Sequence, residues 1–135
     1  MKKNTKGFTL IELLAVIVIL AIIALIAVPV ILNILTKSRQ SAAEDTAYSV
    51  LNAAEIYYAE ALLDNPTEAF AVTTFAFSKD ETTGAGKVTP ALELKGTVPT
   101  AGSIRLNANG TAEIVSDLTI NGLTCKQSGT TVDCK

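Results

Sequence analysis

The sequence Lys6-Gly7-Phe8-Thr9-Leu10-Ile11-Glu12, followed by twenty uncharged residues from Leu13 to Leu32, decides how the rest of this chain is organised. At about 1.5 Å of rise per residue, a helix of that length spans roughly 30 Å, the thickness of the hydrocarbon core of a bilayer. Three lysines and no acidic residue precede Gly7. Because Lys-rich and Arg-rich segments stay in the cytoplasm, the sequence predicts a single membrane pass with its N-terminus inside.

Glu12 is the one charged residue between Gly7 and Leu32. A carboxylate deep in a bilayer costs about 2 to 3 kcal/mol, so it needs a partner. Cleavage after Gly7 would supply one, because the new amino terminus on Phe8 would lie one helical turn before Glu12. The alternative is that Glu12 reaches the lipid headgroups and has no specific role.

Two ordinary kinds of segment also begin with lysines and an apolar run, namely a secretory signal peptide and an uncleaved membrane anchor. The apolar region of a secretory signal is about 7 to 15 residues long and ends at a small-residue cleavage site. The run here is longer, and the sequence after it continues as helix. Neither alternative explains a carboxylate one turn after a Gly-Phe junction.

The motif Gly7-Phe8-Thr9-Leu10-Ile11-Glu12 resembles the one that prepilin peptidase recognises in type IV pilins and in the pseudopilins of competence and type II secretion systems. The resemblance covers residues 6 to about 32; the remainder is similar only in layout. It implies that residues 1–7 are a leader peptide, cut off between Gly7 and Phe8, and that the new amino terminus of Phe8 is methylated. It also implies that Glu12 pairs with the terminal amine of a neighbouring subunit during assembly.

Residues 8–35 are expected to form a hydrophobic transmembrane and assembly helix, and residues 36–64 its amphipathic continuation. Pro29, which matches a proline of the pilin family, should kink the helix or melt a short segment, unless it is tolerated without a role. Asp64-Asn65-Pro66 should end the helix, because a residue before proline disfavours helical geometry. Small and apolar residues recur on one face and predict a stripe that docks on a sheet: Ala43, Ala47, Val50, Ala54, Tyr57 and Ala61.

Residues 103–135 are expected to form an antiparallel sheet, with one hairpin around residues 108–110 and another around Asn121-Gly122. A third hairpin places Cys125 opposite Cys134 if residues 128–131 form a four-residue loop, which we favour; a two-residue loop at residues 128–129 would offset the sulfur atoms. Two cysteines without a histidine cannot form a standard four-ligand zinc site, so a disulfide is expected outside the cytoplasm. Residues 65–102 are a variable connection of uncertain fold. The fold class is therefore α+β, and the resemblance makes it type IV pilin-like.

The composition argues against catalysis and against nucleic-acid binding. The 135 residues contain no histidine, which excludes Ser-His and Cys-His nucleophile pairs, and no loop resembles a calcium or phosphate site. The formal net charge is −2, and removing the three leader lysines would leave eight basic and thirteen acidic side chains, a charge of −5. So acidic a product is a poor ligand for polyanions. We expect no enzyme activity, no cofactor and no metal.

The resemblance implies a structural subunit of a type IV pilus or pilus-like filament, serving adhesion, twitching motility or surface colonisation. Its implied partners are copies of itself, prepilin peptidase, membrane lipid before assembly, and a membrane-embedded assembly platform with a motor ATPase. The subunit would lie in the cytoplasmic membrane first and in an extracellular pilus afterwards, and its short leader looks like those of Gram-positive bacteria. A competence or secretion pseudopilin shares every motif, and a membrane-anchored binding module that never polymerises is the rival of another class.

Overall fold

The computed structural model describes residues 7–135, so Met1 to Lys6, nearly the whole expected leader, lie outside the described residues. One helix, α1 (Leu10–Asp64), is followed by six strands: β1 (Thr73–Lys79), β2 (Gly86–Thr89), β3 (Ala101–Leu106), β4 (Ala112–Ile120), β5 (Leu123–Ser128) and β6 (Thr131–Cys134). The chain divides into two compact units, one ending at Ser38 and the other comprising Arg39–Lys135. The α+β class and the long N-terminal helix are confirmed.

Helix α1 ends at Asp64, immediately before Asn65-Pro66, as the sequence predicts. It begins at Leu10, two residues later than the expected boundary at residue 8, and it runs through Pro29 without interruption. A melted segment at Pro29 is therefore absent from the described helix. A kink there stays a prediction.

The C-terminal half of α1 packs on the sheet through a narrow stripe of small side chains. Ala43, Ala47, Val50 and Ala54 are all buried, which confirms most of the predicted stripe, and Leu51 adds to it. Tyr57 is 36% exposed, so the tight contact ends before it. The ring of Tyr57 instead meets the ring of Phe75 edge to face, with centroids 5.4 Å apart.

The six strands form one antiparallel sheet in the order β2-β1-β3-β4-β5-β6. Its inner face supplies the bulk of the core against α1, through Phe75, Phe77, Ile104, Leu106, Leu118 and Ile120. Alanines on the helix let the backbone approach these large side chains closely, which compensates for the small number of aromatic residues. The sheet begins earlier than residue 103, because β1 and β2 both lie within the expected connection of residues 65–102.

The structure confirms the predicted positions of the hairpins and the pairing of Cys125 with Cys134, and it corrects one loop. Residues 107–111 join β3 to β4, and Asn121-Gly122 joins β4 to β5, with both residues at positive φ (51° and 81°). Cys125 lies opposite Cys134 as predicted, but the loop between β5 and β6 has two residues, 129–130, instead of four. The strand register is the same for a four-residue and a two-residue loop. Ser128 and Thr131, the ends of the expected loop, pair with each other and so extend the same ladder by one pair.

Strand β6 is at an edge of the sheet, and α1 protects its outward-facing amides. The Val132 amide donates to the Tyr48 hydroxyl at 2.9 Å, and the Cys134 amide points to a carboxylate oxygen of Glu44 at 3.5 Å. Two residues of a strand advance by about 6.6 Å and four residues of a helix by about 6 Å, so the two contacts can form in parallel. At the other end of the sheet, Asp80 closes the β1–β2 turn by accepting the amides of Thr83 and Thr82, which lowers the pKa of Asp80.

Gly110 and Gly122 provide a matched test of how α1 contacts the β3–β4 turn. Both have similar positive φ values, 84° and 81°, but a Cβ on Gly110 would lie 2.6 Å from the Tyr58 ring, whereas one on Gly122 would meet nothing within 4 Å. Gly122→Ala should lower the free energy of unfolding by about 1 kcal/mol through backbone strain alone. Gly110→Ala should cost about 1 to 3 kcal/mol more because of the steric overlap.

Urea unfolding of the full chain in detergent micelles, followed by near-ultraviolet circular dichroism, would measure the difference. Tyr58→Ala should remove the extra cost of Gly110→Ala. Equal costs for the two glycine substitutions would show that Tyr58 does not limit this turn.

Candidate functional site

The peptide bond between Gly7 and Phe8 is accessible and lies outside the helix. Residues 7–9 have no regular secondary structure, and the Phe8 side chain is 92% exposed. A Cβ built on Gly7 would meet nothing within 4 Å. A peptidase needs backbone of this kind, because the amides and carbonyls of a helix are already hydrogen-bonded to each other.

Glu12 is held by Thr9 at the first turn of α1. One carboxylate oxygen of Glu12 accepts the Thr9 amide at 2.8 Å and the Thr9 hydroxyl at 2.7 Å. The Glu12 amide in turn donates to the Thr9 hydroxyl oxygen at 3.3 Å. This reciprocal arrangement is a capping box, in which Thr9 is the N-cap and Glu12 the third helical residue.

The capping box gives Glu12 a local role that the sequence interpretation did not include. The spacing Thr9-x-x-Glu12 is a capping-box pattern and was visible in the sequence. In the described residues the Glu12 carboxylate therefore has an intramolecular partner. A neighbouring amine would have to compete with Thr9 for this carboxylate, or use its second oxygen.

The first half of α1 exposes an apolar surface on all sides. Every large apolar side chain from Phe8 to Leu35 is exposed, with exposed fractions between 45% and 92%. By length and composition α1 is able to cross a membrane, and none of its most apolar stretch is buried. A core helix of a soluble protein would have an apolar face buried by its neighbours, so this helix needs an external apolar environment.

The two cysteines form a disulfide between β5 and β6. The sulfur atoms of Cys125 and Cys134 are bonded at 2.02 Å, and both residues are buried against α1. The bridge joins directly opposed residues of neighbouring strands and closes the last hairpin covalently. It lies in the core of the unit Arg39–Lys135.

The outer face of the sheet has balanced charges. Three ion pairs lie on it, namely Arg105–Glu113 at 3.5 Å, Lys126–Asp117 at 3.1 Å and Lys135–Asp133 at 2.9 Å. Asp133 raises the pKa of Lys135 through a hydrogen bond and its charge. Exposed pairs contribute little stability, but each places a carboxylate beside a cation and so weakens any attraction for phosphates.

Residues 7–135 contain no group of three or more acidic or cysteine side chains that could hold a metal ion. Among the described residues, one open groove is lined by glycines and threonines near Lys79 and Thr119. Residues 84–86 of the glycine-rich run 84–87 line this groove, but the run does not have the spacing of a phosphate-binding loop. The chemistry of the candidate site is therefore that of its N-terminal backbone and the Glu12 carboxylate.

Residues 2–28 match the family model described as the prokaryotic N-terminal methylation motif. The match includes Gly7, Phe8 and Glu12 and ends one residue before Pro29. No curated protein and no solved structure is significantly similar to the chain. A motif of this type indicates a precursor that is processed at its N-terminus, and it suggests a structural subunit without enzymatic activity.

Removing the disulfide should destabilise the folded sheet. For the double variant Cys125→Ala/Cys134→Ala we expect the free energy of unfolding to fall by about 2 to 3 kcal/mol, because the unfolded hairpin is no longer constrained. Urea unfolding of the full chain in detergent micelles, with and without reductant, measures this. Reductant should shift the midpoint of the original chain and leave that of the double variant unchanged; an original chain insensitive to complete reduction would contradict the prediction.

Proposed function

The chain carries the N-terminal signal of a type IV prepilin, and from that premise we propose that it is a structural subunit of a type IV pilus or pilus-like filament. Prepilin peptidase would cut between Gly7 and Phe8 and methylate the new amino terminus of Phe8. The observation that carries the proposal is the combination at the N-terminus: an exposed, non-helical Gly7–Phe8 bond directly before an apolar helix that the described chain leaves uncovered.

Before assembly, the first half of α1 would lie in the cytoplasmic membrane as a single pass. The lysines of the leader would keep the N-terminus inside, and the unit Arg39–Lys135 would lie outside. The disulfide of that unit fits an extracytoplasmic location, because such bonds persist in oxidising compartments. Lipid would then be the first partner of the exposed apolar side chains.

Assembly would exchange lipid contacts for contacts between α1 helices of neighbouring subunits. The two environments are similarly apolar, so polar groups decide register and direction. Glu12 of one subunit would pair with the amino terminus of Phe8 in the next, replacing part of its bonding to Thr9. A contact between unlike surfaces of identical subunits gives an open fibre whenever the rotation from one subunit to the next does not close into a ring.

Extraction from the membrane needs energy, which we assign to a separate motor ATPase acting through a membrane-embedded platform. Adhesion, twitching motility and surface colonisation are the activities such a filament would serve, in a bacterium we propose to be Gram-positive. A competence or secretion pseudopilin would share the same N-terminal chemistry. The paired charges on the outer sheet face favour a filament that does not bind nucleic acid.

The N-terminal residue of the protein in its native host tests the processing step. We expect intact mass and N-terminal sequencing to find a methylated Phe8 terminus both in the membrane and in filaments sheared from the cell surface. A Gly7→Val variant should remain uncut, because the branched side chain blocks the position next to the scissile bond, and should be missing from the sheared fraction. Protein that retains Met1 and stays in the membrane would overturn the proposal in favour of an anchored binding module.

The assembly step is tested separately by Glu12→Gln. This variant keeps the size and much of the local bonding of the side chain but removes the charge that attracts an amine. We expect normal cleavage and normal amounts in the membrane, with sheared filament reduced at least about tenfold, because a charge-assisted bond is lost in an apolar environment. Glu68→Gln, at an exposed position in the connection after α1, is the matched control. Equal filament yields for the two variants would refute a role for the Glu12 charge.

A further inference from the structure

The negative charge of the unit Arg39–Lys135 is concentrated on its part of α1. One cation, Arg39, shares this stretch with five carboxylates, namely Glu44, Asp45, Glu55, Glu60 and Asp64. Within residues 7–135, all three ion pairs lie on the sheet and none involves these six side chains. Helices with a net charge of −4 over this length would repel each other in a filament unless their cations were placed against carboxylates.

Arg39 and Glu44 lie on different flanks of α1. At 100° per residue, five residues separate them by about 140° around the axis, too far for pairing within one helix. Glu44 lies on the flank beside β6, where one of its oxygens is 3.5 Å from the Cys134 amide. Arg39 lies five full turns before Tyr57 and therefore on the same flank of α1 as Tyr57. On that flank, Tyr57 and Glu60 line a groove together with residues 91–95.

A contact between successive subunits joins one flank of a helix to the other flank of its neighbour, because the two surfaces of such a contact are unlike. The proposed pairing of Phe8 with Glu12 sets a stagger of about 6 to 10 Å between neighbouring parallel helices, because residues 10–12 are helical and residues 8–9 are not. The same stagger brings residue 39 of one copy level with residues 43–46 of the next. Glu44 lies in this range, within reach of an arginine side chain.

We propose that Arg39 of each subunit pairs with Glu44 of its neighbour, so that a second copy of this chain covers the Glu44 flank of α1. The proposal rests on the proposed filament function and assigns a second contact, outside the membrane-spanning half of the helix. Arg39 is exposed and Glu44 is half-buried, with one carboxylate oxygen not engaged by the Cys134 amide. The pair would set the same stagger as the N-terminal contact.

Charge reversal at each position tests the contact in the native host. R39E and E44R should each lower the yield of sheared filament by about fivefold or more, because an attraction becomes a repulsion at every contact. Cleavage after Gly7 and the amount in the membrane should be unchanged. The matched controls are Lys87→Glu, on the edge strand β2, and Glu68→Arg, in the connection after α1; both make the same changes in net charge on exposed positions and should leave the yield as it was.

Co-expression of the two variants shows whether the contact is between chains. R39E and E44R subunits that alternate along a filament restore opposite charges at every contact, so the mixture should recover most of the original yield while each variant alone does not. A mixture as poor as its components, or an R39E yield equal to that of Lys87→Glu, would overturn the pairing. If the unsubstituted chain itself gave no sheared filament, the proposed function would fail; filaments from R39E at full yield would leave that function intact.

Discussion

The structure depends above all on the apolar surface that α1 leaves uncovered between Leu10 and Leu35. Water cannot solvate so large an apolar area without a high cost in free energy, and no described side chain shields it. Lipid and other apolar helices are the environments that remove this cost. In the proposed function, cleavage next to Phe8 alters the polar end of this surface and leaves the apolar part unchanged, so that one helix serves first as an anchor and then as an element of a fibre.

The same helix changes character after Ser38. Its side chains become small on one face and charged on the others, because this part must accept a sheet on one side and water elsewhere. Four buried alanine and valine positions bring the helix close to Phe75, Ile104 and Leu118, which fill the core in place of the missing tryptophans. A covalent bond between the last two strands then stabilises a domain with few large side chains.

Local signals in the sequence predicted the parts of the fold that depend on local geometry. Asn121-Gly122 specifies a two-residue turn, and the spacing of Cys125 and Cys134 agrees with one strand register, so both could be predicted without the structure. Strand β2 could not, because four residues beside a glycine-rich turn acquire their structure only by pairing with β1. The Thr9-x-x-Glu12 pattern was present, but sequence alone cannot rank a local cap against a neighbouring amine as the partner of Glu12.

The contacts that α1 makes with β6 have a further consequence for a polymer of identical sheets. Packing many copies side by side gives every exposed strand edge repeated opportunities to join the edge of another copy, which is the route to amyloid-like aggregation. Val132 and Cys134 present their outward amides to Tyr48 and Glu44 instead of to a second sheet. In the proposed filament, the helix that would bring subunits together would thus also discourage their sheets from fusing, so that an ordered fibre would be dense without becoming an aggregate.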